Sequence, residues 1–127
     1  MNEVVLDASA IIALLLRERG FEQVAGILVG ARVSAVNLAE ACSYLTQVGH
    51  SASQARAVLD SLHLRIVPFD EEQAFEVARL RPLTQRAGLS LGDRACLALS
   101  GLLRLPAMTT DRAWATLGLG IEVELIR

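Results

Sequence analysis

The chain has 127 residues, 53% hydrophobic but only 4% aromatic, with a formal net charge of −2. That length suits one domain, 1–127, with an aliphatic core, and the charge offers no global attraction to nucleic acid, so a polyanion needs a local basic patch. All 12 basic residues are Arg and none is Lys, which excludes a P-loop lysine and a Schiff-base lysine and weighs against phosphoaspartate receivers and dehalogenase-type phosphatases, whose sites set a Lys beside the Asp.

The start, Met1-Asn2-Glu3, is acidic where a secretory signal is basic, and Ala10–Leu16 is too short to span a membrane. A soluble, cytoplasmic protein is therefore expected. Val4–Leu6 reads as a short buried strand ended by Asp7. A helix follows over Ala10–Arg17, capped by Asp7 or Ser9 and closed at Gly20. Phe21, Val24, Ala25 and Leu28 recur at helical spacing and predict a helix over Phe21–Val29. Arg32–Ser34 reads as a short strand and Val36–Val48 as a helix stopped by Gly49. Ser51 or Ser53 caps the next helix, which reaches about Leu62. Leu64–Val67 is a strand stopped by Pro68. Asp70 caps a helix to about Leu80, with Glu71 and Glu72 complementing its dipole. Arg81–Gly88, with Pro82, reads as a loop. Ser90 opens a helix to about Leu103. Pro106–Thr109 is a strand, Ala113–Leu117 a helical turn and Glu122–Ile126 a final strand. This alternation predicts an α/β fold with a parallel sheet and right-handed crossovers. Cys42 and Cys96 lack CxxC spacing and read as buried free thiols. Phe21, Phe69 and Phe75 read as core.

Asp7 ends the first apolar run, and Asp111 ends a late one. Asp93 opens an apolar helix pattern in Ser90-Leu91-Gly92-Asp93. Glu40 lies one turn into another helix pattern after Ser34-Ala35-Val36-Asn37. Such positions converge on the carboxyl edge of a parallel sheet, where these folds bind ligands. Two like charges about 5 Å apart cost roughly 3 kcal/mol at an effective dielectric of 20, and a hard divalent cation relieves that cost. Mg²⁺ or Mn²⁺ prefers such all-oxygen ligands. Ser9 and Thr109 add hydroxyls near the same rim, and Asn37 shares a helix face with Glu40. Taken singly, Asp7, Asp93, Ser9 and Asn37 can each be helix caps, and Thr109 and Thr110 ordinary strand residues. Asp70 has no acidic company and reads as a cap, Asp60 as solvated. His50 and His63 have no partner at ligand spacing, against a zinc hydrolase or His-based catalysis. No Gly-x-Ser-x-Gly elbow is present.

The chain resembles the PIN-domain ribonucleases, and most closely the VapC toxins of type II toxin–antitoxin systems. The resemblance covers nearly the whole sequence. It is carried by Val5-Leu6-Asp7-Ala8-Ser9-Ala10, Ser34-Ala35-Val36-Asn37-Leu38-Ala39-Glu40, Gly88-Leu89-Ser90-Leu91-Gly92-Asp93-Arg94-Ala95-Cys96-Leu97-Ala98 and Met108-Thr109-Thr110-Asp111. It implies a three-layer sandwich with a five-stranded parallel sheet flanked by helices. It also implies a Mg²⁺- or Mn²⁺-dependent endoribonuclease, usually a homodimer, held inactive by a cognate VapB-like antitoxin. In that chemistry Asp7, Glu40, Asp93 and Asp111 hold one or two metal ions directly or through water, and metal-activated water attacks the phosphodiester. Ser9, Asn37 and Thr109 orient carboxylates or waters.

Arg79, Arg81 and Arg86 flank the loop leading to Asp93, and Arg94 and Arg112 each follow a site acid. They are either solvated charges or a rim holding RNA phosphates. Trp114 reads as packing rather than a stacking platform. RNA recognition favours splayed loops, so a tRNA or rRNA loop fits as substrate. Two other functions compete. One is a PIN-like RNA- or protein-binding module with little or no catalysis, against which the intact set of acids speaks. The other is a small-molecule phosphohydrolase, which the missing Lys and the absence of Asp-x-Asp after the first strand oppose. The apolar stripes of Ala10–Leu16, Phe21–Val29 and Val36–Val48 exceed what one small sheet needs and suit a homodimer or antitoxin contact. An antitoxin Arg would pair well with the acids.

Overall fold

The computed structural model describes residues 3–127; Met1 and Asn2, part of the acidic start, lie outside them. Its strands are β1 (Val5–Leu6), β2 (Arg32–Ser34), β3 (Arg65–Val67), β4 (Ala107–Thr109) and β5 (Val123–Leu125). The helices are α1 (Ala8–Leu15), α2 (Phe21–Gly26), α3 (Ala35–Gln47), α4 (Ala52–Asp60), α5 (Glu71–Thr84) and α6 (Leu91–Leu103), and a 3₁₀ turn spans Arg112–Thr116. All sheet pairings are parallel, in the order β3-β2-β1-β4-β5. β1 is central, with Leu6 opposite Val33 on one side and Met108 on the other.

The period of two along β1 divides the core. Val4 and Leu6 pack with Ile11, Val24, Val33 and Leu45 on the face covered by α1 to α4. Val5 packs with Val77, Leu80, Leu97 and Trp114 on the face covered by α5 and α6. Helices on both faces explain why β1 is continuously apolar rather than alternating, and the result is the expected three-layer α/β sandwich. Among the described residues no helix is long and apolar enough to cross a membrane.

The element ends follow local chemistry. α1 starts at Ala8, two residues earlier than its apolar pattern suggests, because Asp7 is the N-cap and accepts from Ala10 N at 2.8 Å. α2 stops at Gly26 rather than Val29, leaving Val29 exposed. α3 begins directly after β2 with Ser34 as its cap, so Asn37 is a helix residue and not a cap. α5 continues through Pro82 to Thr84, correcting the loop expected from Arg81. Leu80 and Thr84 are buried, and Thr84 Oγ1 donates to Leu80 O at 2.9 Å, which holds the last turn despite the proline's missing donor. Phe75 is 70% exposed on α5, not core, because Gln73 and Val77 take the buried face. Cys96 is buried, but Cys42 is only half-buried.

Candidate active site at the carboxyl edge of the sheet

From β1 the chain moves outward to β2 and β3, then returns across β1 to β4 and β5. The order therefore reverses between β1 and β4, and such a switch point opens a crevice beyond the carboxyl ends of the strands. Asp7 directly follows β1, and Asp111 follows β4 by two residues. Glu40 enters from α3 and Asp93 from the first turn of α6.

Asp7 is buried and held by three donors. Ser9 Oγ and Ala10 N reach Oδ1 at 2.7 and 2.8 Å, and Thr109 Oγ1 reaches Oδ2 at 2.5 Å. The network continues toward Asp111: Asp111 N donates to Thr109 Oγ1 at 3.1 Å, and Thr110 N donates to Ser9 Oγ at 3.0 Å. Ser9 and Thr109 thus fasten the end of β1 to the end of β4. Burial pushes the Asp7 carboxyl up to about 6 against the lowering effect of these hydrogen bonds, and the charge of Asp93 adds to the rise.

On the other side, Asn37 Nδ2 donates to Glu40 Oε1 at 2.8 Å and to Gly92 O at 3.0 Å, tying α3 to α6. Asp93 closes a capping box with Ser90: Asp93 N donates to Ser90 Oγ at 3.1 Å and Ser90 N to Asp93 Oδ2 at 2.9 Å. Asp111 is exposed and caps the 3₁₀ turn, accepting from Ala113 N at 2.9 Å. The capping alternative is therefore realised for Asp7, whereas at α6 the cap is Ser90 and Asp93 answers it from the third helical position. The buried Cys96 thiol is pushed well up, first by burial and then by the charges of Asp7, Asp93 and Glu40. Glu40 also lines a cleft of about 550 Å³ with Tyr44, Ser90 and Leu91.

Among the described residues none of the four acids is ion-paired to an arginine or histidine, and no three stand close enough as placed to enclose one ion. The donor set is nevertheless all carboxylate and hydroxyl oxygen, around a buried acid whose ionisation a neighbouring acid opposes. That set fits a hard divalent cation.

The arginines divide. Arg81, Arg86 and Arg112 are exposed, and Arg79 is exposed but engaged by Glu76 at 2.5 to 2.8 Å. Arg94 is different: it is 7% exposed, and its Nη1 donates to Val77 O at 3.1 Å beneath α5. Its guanidinium faces the α5–α6 packing rather than a phosphate-binding rim, a correction to the sequence expectation. Trp114 is packed in the core. Gly92 also belongs to the site, packed against the Glu40 carboxylate; its signal in the sequence is a glycine in the first turn of a helix, immediately before an acid.

The PIN-domain family model matches residues 4–118. The chain belongs to the PIN-domain family. No curated protein matches it by sequence. Among solved structures, the PIN domain here is similar to a chain of VapBC-5 from Mycobacterium tuberculosis, a member of the VapBC family of toxin–antitoxin systems. That match has 27% identity and a TM-score of 0.66, over 100% of this chain and 99% of that one. DNA-bound VapBC from Salmonella typhimurium matches over 100% of both chains at 19% identity and a TM-score of 0.76. VapC20 of Mycobacterium tuberculosis, a toxin that cleaves the sarcin–ricin loop, matches over 91% of this chain and 95% of that one, at 16% identity and a TM-score of 0.73.

Proposed function

We propose that this PIN domain is a Mg²⁺- or Mn²⁺-dependent endoribonuclease and the toxin of a type II toxin–antitoxin pair. The observation that supports the reading is the hydrogen-bonded framework at the switch point of the sheet, which links Asp7 to Asp111 through Thr109 and Glu40 through Asn37 to Gly92, the residue before Asp93.

Asp7, Glu40, Asp93 and Asp111 would hold the metal. When bound, a divalent cation there supplies charge to the phosphoryl oxygens and lowers the pKa of water. The chain's own groups do the rest. Ser9 and Thr109 hold both oxygens of Asp7 and so fix its plane. The Ser90 cap fixes Asp93. The exposed Arg81, Arg86 and Arg112, with Arg79 beside them, would bind flanking phosphates and set RNA register without reading sequence. A tRNA or rRNA loop suits such a site.

A VapB-like antitoxin is the proposed partner, with an arginine that neutralises the unpaired acids. The protein would act in the cytoplasm as a homodimer. Purified antitoxin-free protein should cut total RNA at discrete sites with Mg²⁺ or Mn²⁺, and lose that activity in EDTA or as Asp93→Asn. Metal binding without cleavage, repeated on RNA from the native host, would favour the binding-module alternative.

A further inference from the structure

Gly92 is buried in the first turn of α6, next to Asp93. Its backbone is outside the left-handed region, so its conformation does not call for glycine, and glycine costs helix stability relative to alanine. Its surroundings do call for it. A Cβ on Gly92 would collide with Glu40 Oε1, Oε2 and Cδ together. The Glu40 carboxylate therefore lies face-on against the glycine, in the volume any side chain there would need. The buried Asn37 spends both amide hydrogens on this junction, one on Glu40 Oε1 and one on Gly92 O. The Glu40 carboxylate is the end of a flexible, exposed side chain, so what resists its displacement is the amide of Asn37 that engages Oε1, with the Gly92 backbone against one face.

We propose that Asn37 and Gly92 are positioning residues that fix the Glu40 carboxylate beside Asp93, with Oε1 engaged and Oε2 offered to the metal site, favouring a small octahedral cation over a larger one. The inference rests on the reading of Glu40 as a metal-site acid. Its selectivity follows from coordination chemistry. Mg²⁺ demands near-ideal octahedral geometry, whereas Ca²⁺ readily takes both oxygens of one carboxylate. An amide that occupies Oε1 therefore disfavours the Ca²⁺ mode.

The test is a Mn²⁺ titration, free ion read by electron paramagnetic resonance, on wild type, N37A, G92A, E40A and the doubles N37A/E40A and G92A/E40A. Ca²⁺ competition and thermal unfolding in EDTA accompany it. Gly92→Ala and Asn37→Ala should each weaken Mn²⁺ binding by about 10- to 100-fold, the scale for groups that orient a ligand. Neither should weaken it further in the Glu40→Ala background, since both act through Glu40. G92A should lower the melting temperature when Glu40 is present and much less in E40A, where the colliding carboxylate is gone. N37A should also narrow the preference for Mn²⁺ over Ca²⁺.

Wild-type Mn²⁺ affinity in G92A and N37A, with affinity lost in E40A, would overturn the positioning role and leave the metal-site reading standing. Additive losses in the doubles would also overturn it, as would an unchanged ion preference in N37A. Full Mn²⁺ affinity in E40A would overturn the metal-site assignment of Glu40, and this inference with it.

Discussion

Asp7 meets two conflicting demands. The ends of β1 and β4 bury it, while three donors favour its charged form, and burial wins, lifting the carboxyl from 3.8 to about 6. Above pH 6 the carboxylate is ionised both folded and unfolded, and the fold carries the whole cost, about 3 kcal/mol. Between 6 and 3.8 the folded state takes up a proton that the unfolded state lacks, so the cost shrinks as pH falls. Asp7→Asn should therefore raise the melting temperature in EDTA at pH 8, by a margin that narrows toward pH 4. Chemical denaturation across that range checks it; a margin independent of pH would contradict the buried charge. Mn²⁺ affinity should likewise fall as pH drops through about 6, since Asp7 must give up its proton to bind. The acids were legible in the sequence because each stands at a junction between an apolar run and a helix start. Arg94 was not, because its burial depends on which side of α6 meets α5.

The helices build the site through their first turns. Asp93 both completes the α6 capping box and faces the other acids, so the cap is part of the site's rigidity. Ser90→Ala should cost about 1 kcal/mol of stability and weaken Mn²⁺ binding, while Ser90→Thr, which can restore the cap, should recover both. Isothermal calorimetry and thermal melts on the two variants would show it. Element types followed from hydrophobic period, but several ends did not. Ser34, not Asn37, caps α3 because β2 runs into the helix with no intervening loop. That one-turn difference puts Asn37 inside the helix and against Gly92. Pro82 marks a helix boundary by local pattern, yet the buried Leu80 and Thr84 carry α5 past it. Both cases turn on tertiary packing, which local pattern does not contain.

The whole molecule brings the acids together through strand order. Neighbouring β1 and β4 are separated in sequence by six helices and two strands, so Asp7 and Asp111 approach only once β4 has docked beside β1. The order of acids along the chain hinted at this; the links through Thr109 and Ser9 did not show in any local motif. With a net charge of −2, RNA attraction must come from local arginines. Replacing Arg86 and Arg112 together by Ala should weaken RNA binding and shallow its salt dependence by one to two units of slope, roughly one per phosphate contact. Arg94→Met should leave RNA affinity unchanged and keep or raise stability, because it removes a buried charge with no acidic partner among the described residues. Equal effects of the two changes on RNA binding would refute the division between rim and packing arginines.

On the proposed mechanism these acids hold a cation against the phosphate being cut. Sulfur in place of a non-bridging oxygen at the mapped scissile phosphate tests it most directly, since a soft ligand is poorly matched to Mg²⁺ and better tolerated by Mn²⁺. Cleavage of the substituted RNA should slow with Mg²⁺ and recover with Mn²⁺. Cleavage that persists in EDTA, or that is indifferent to the sulfur with both ions, would contradict it.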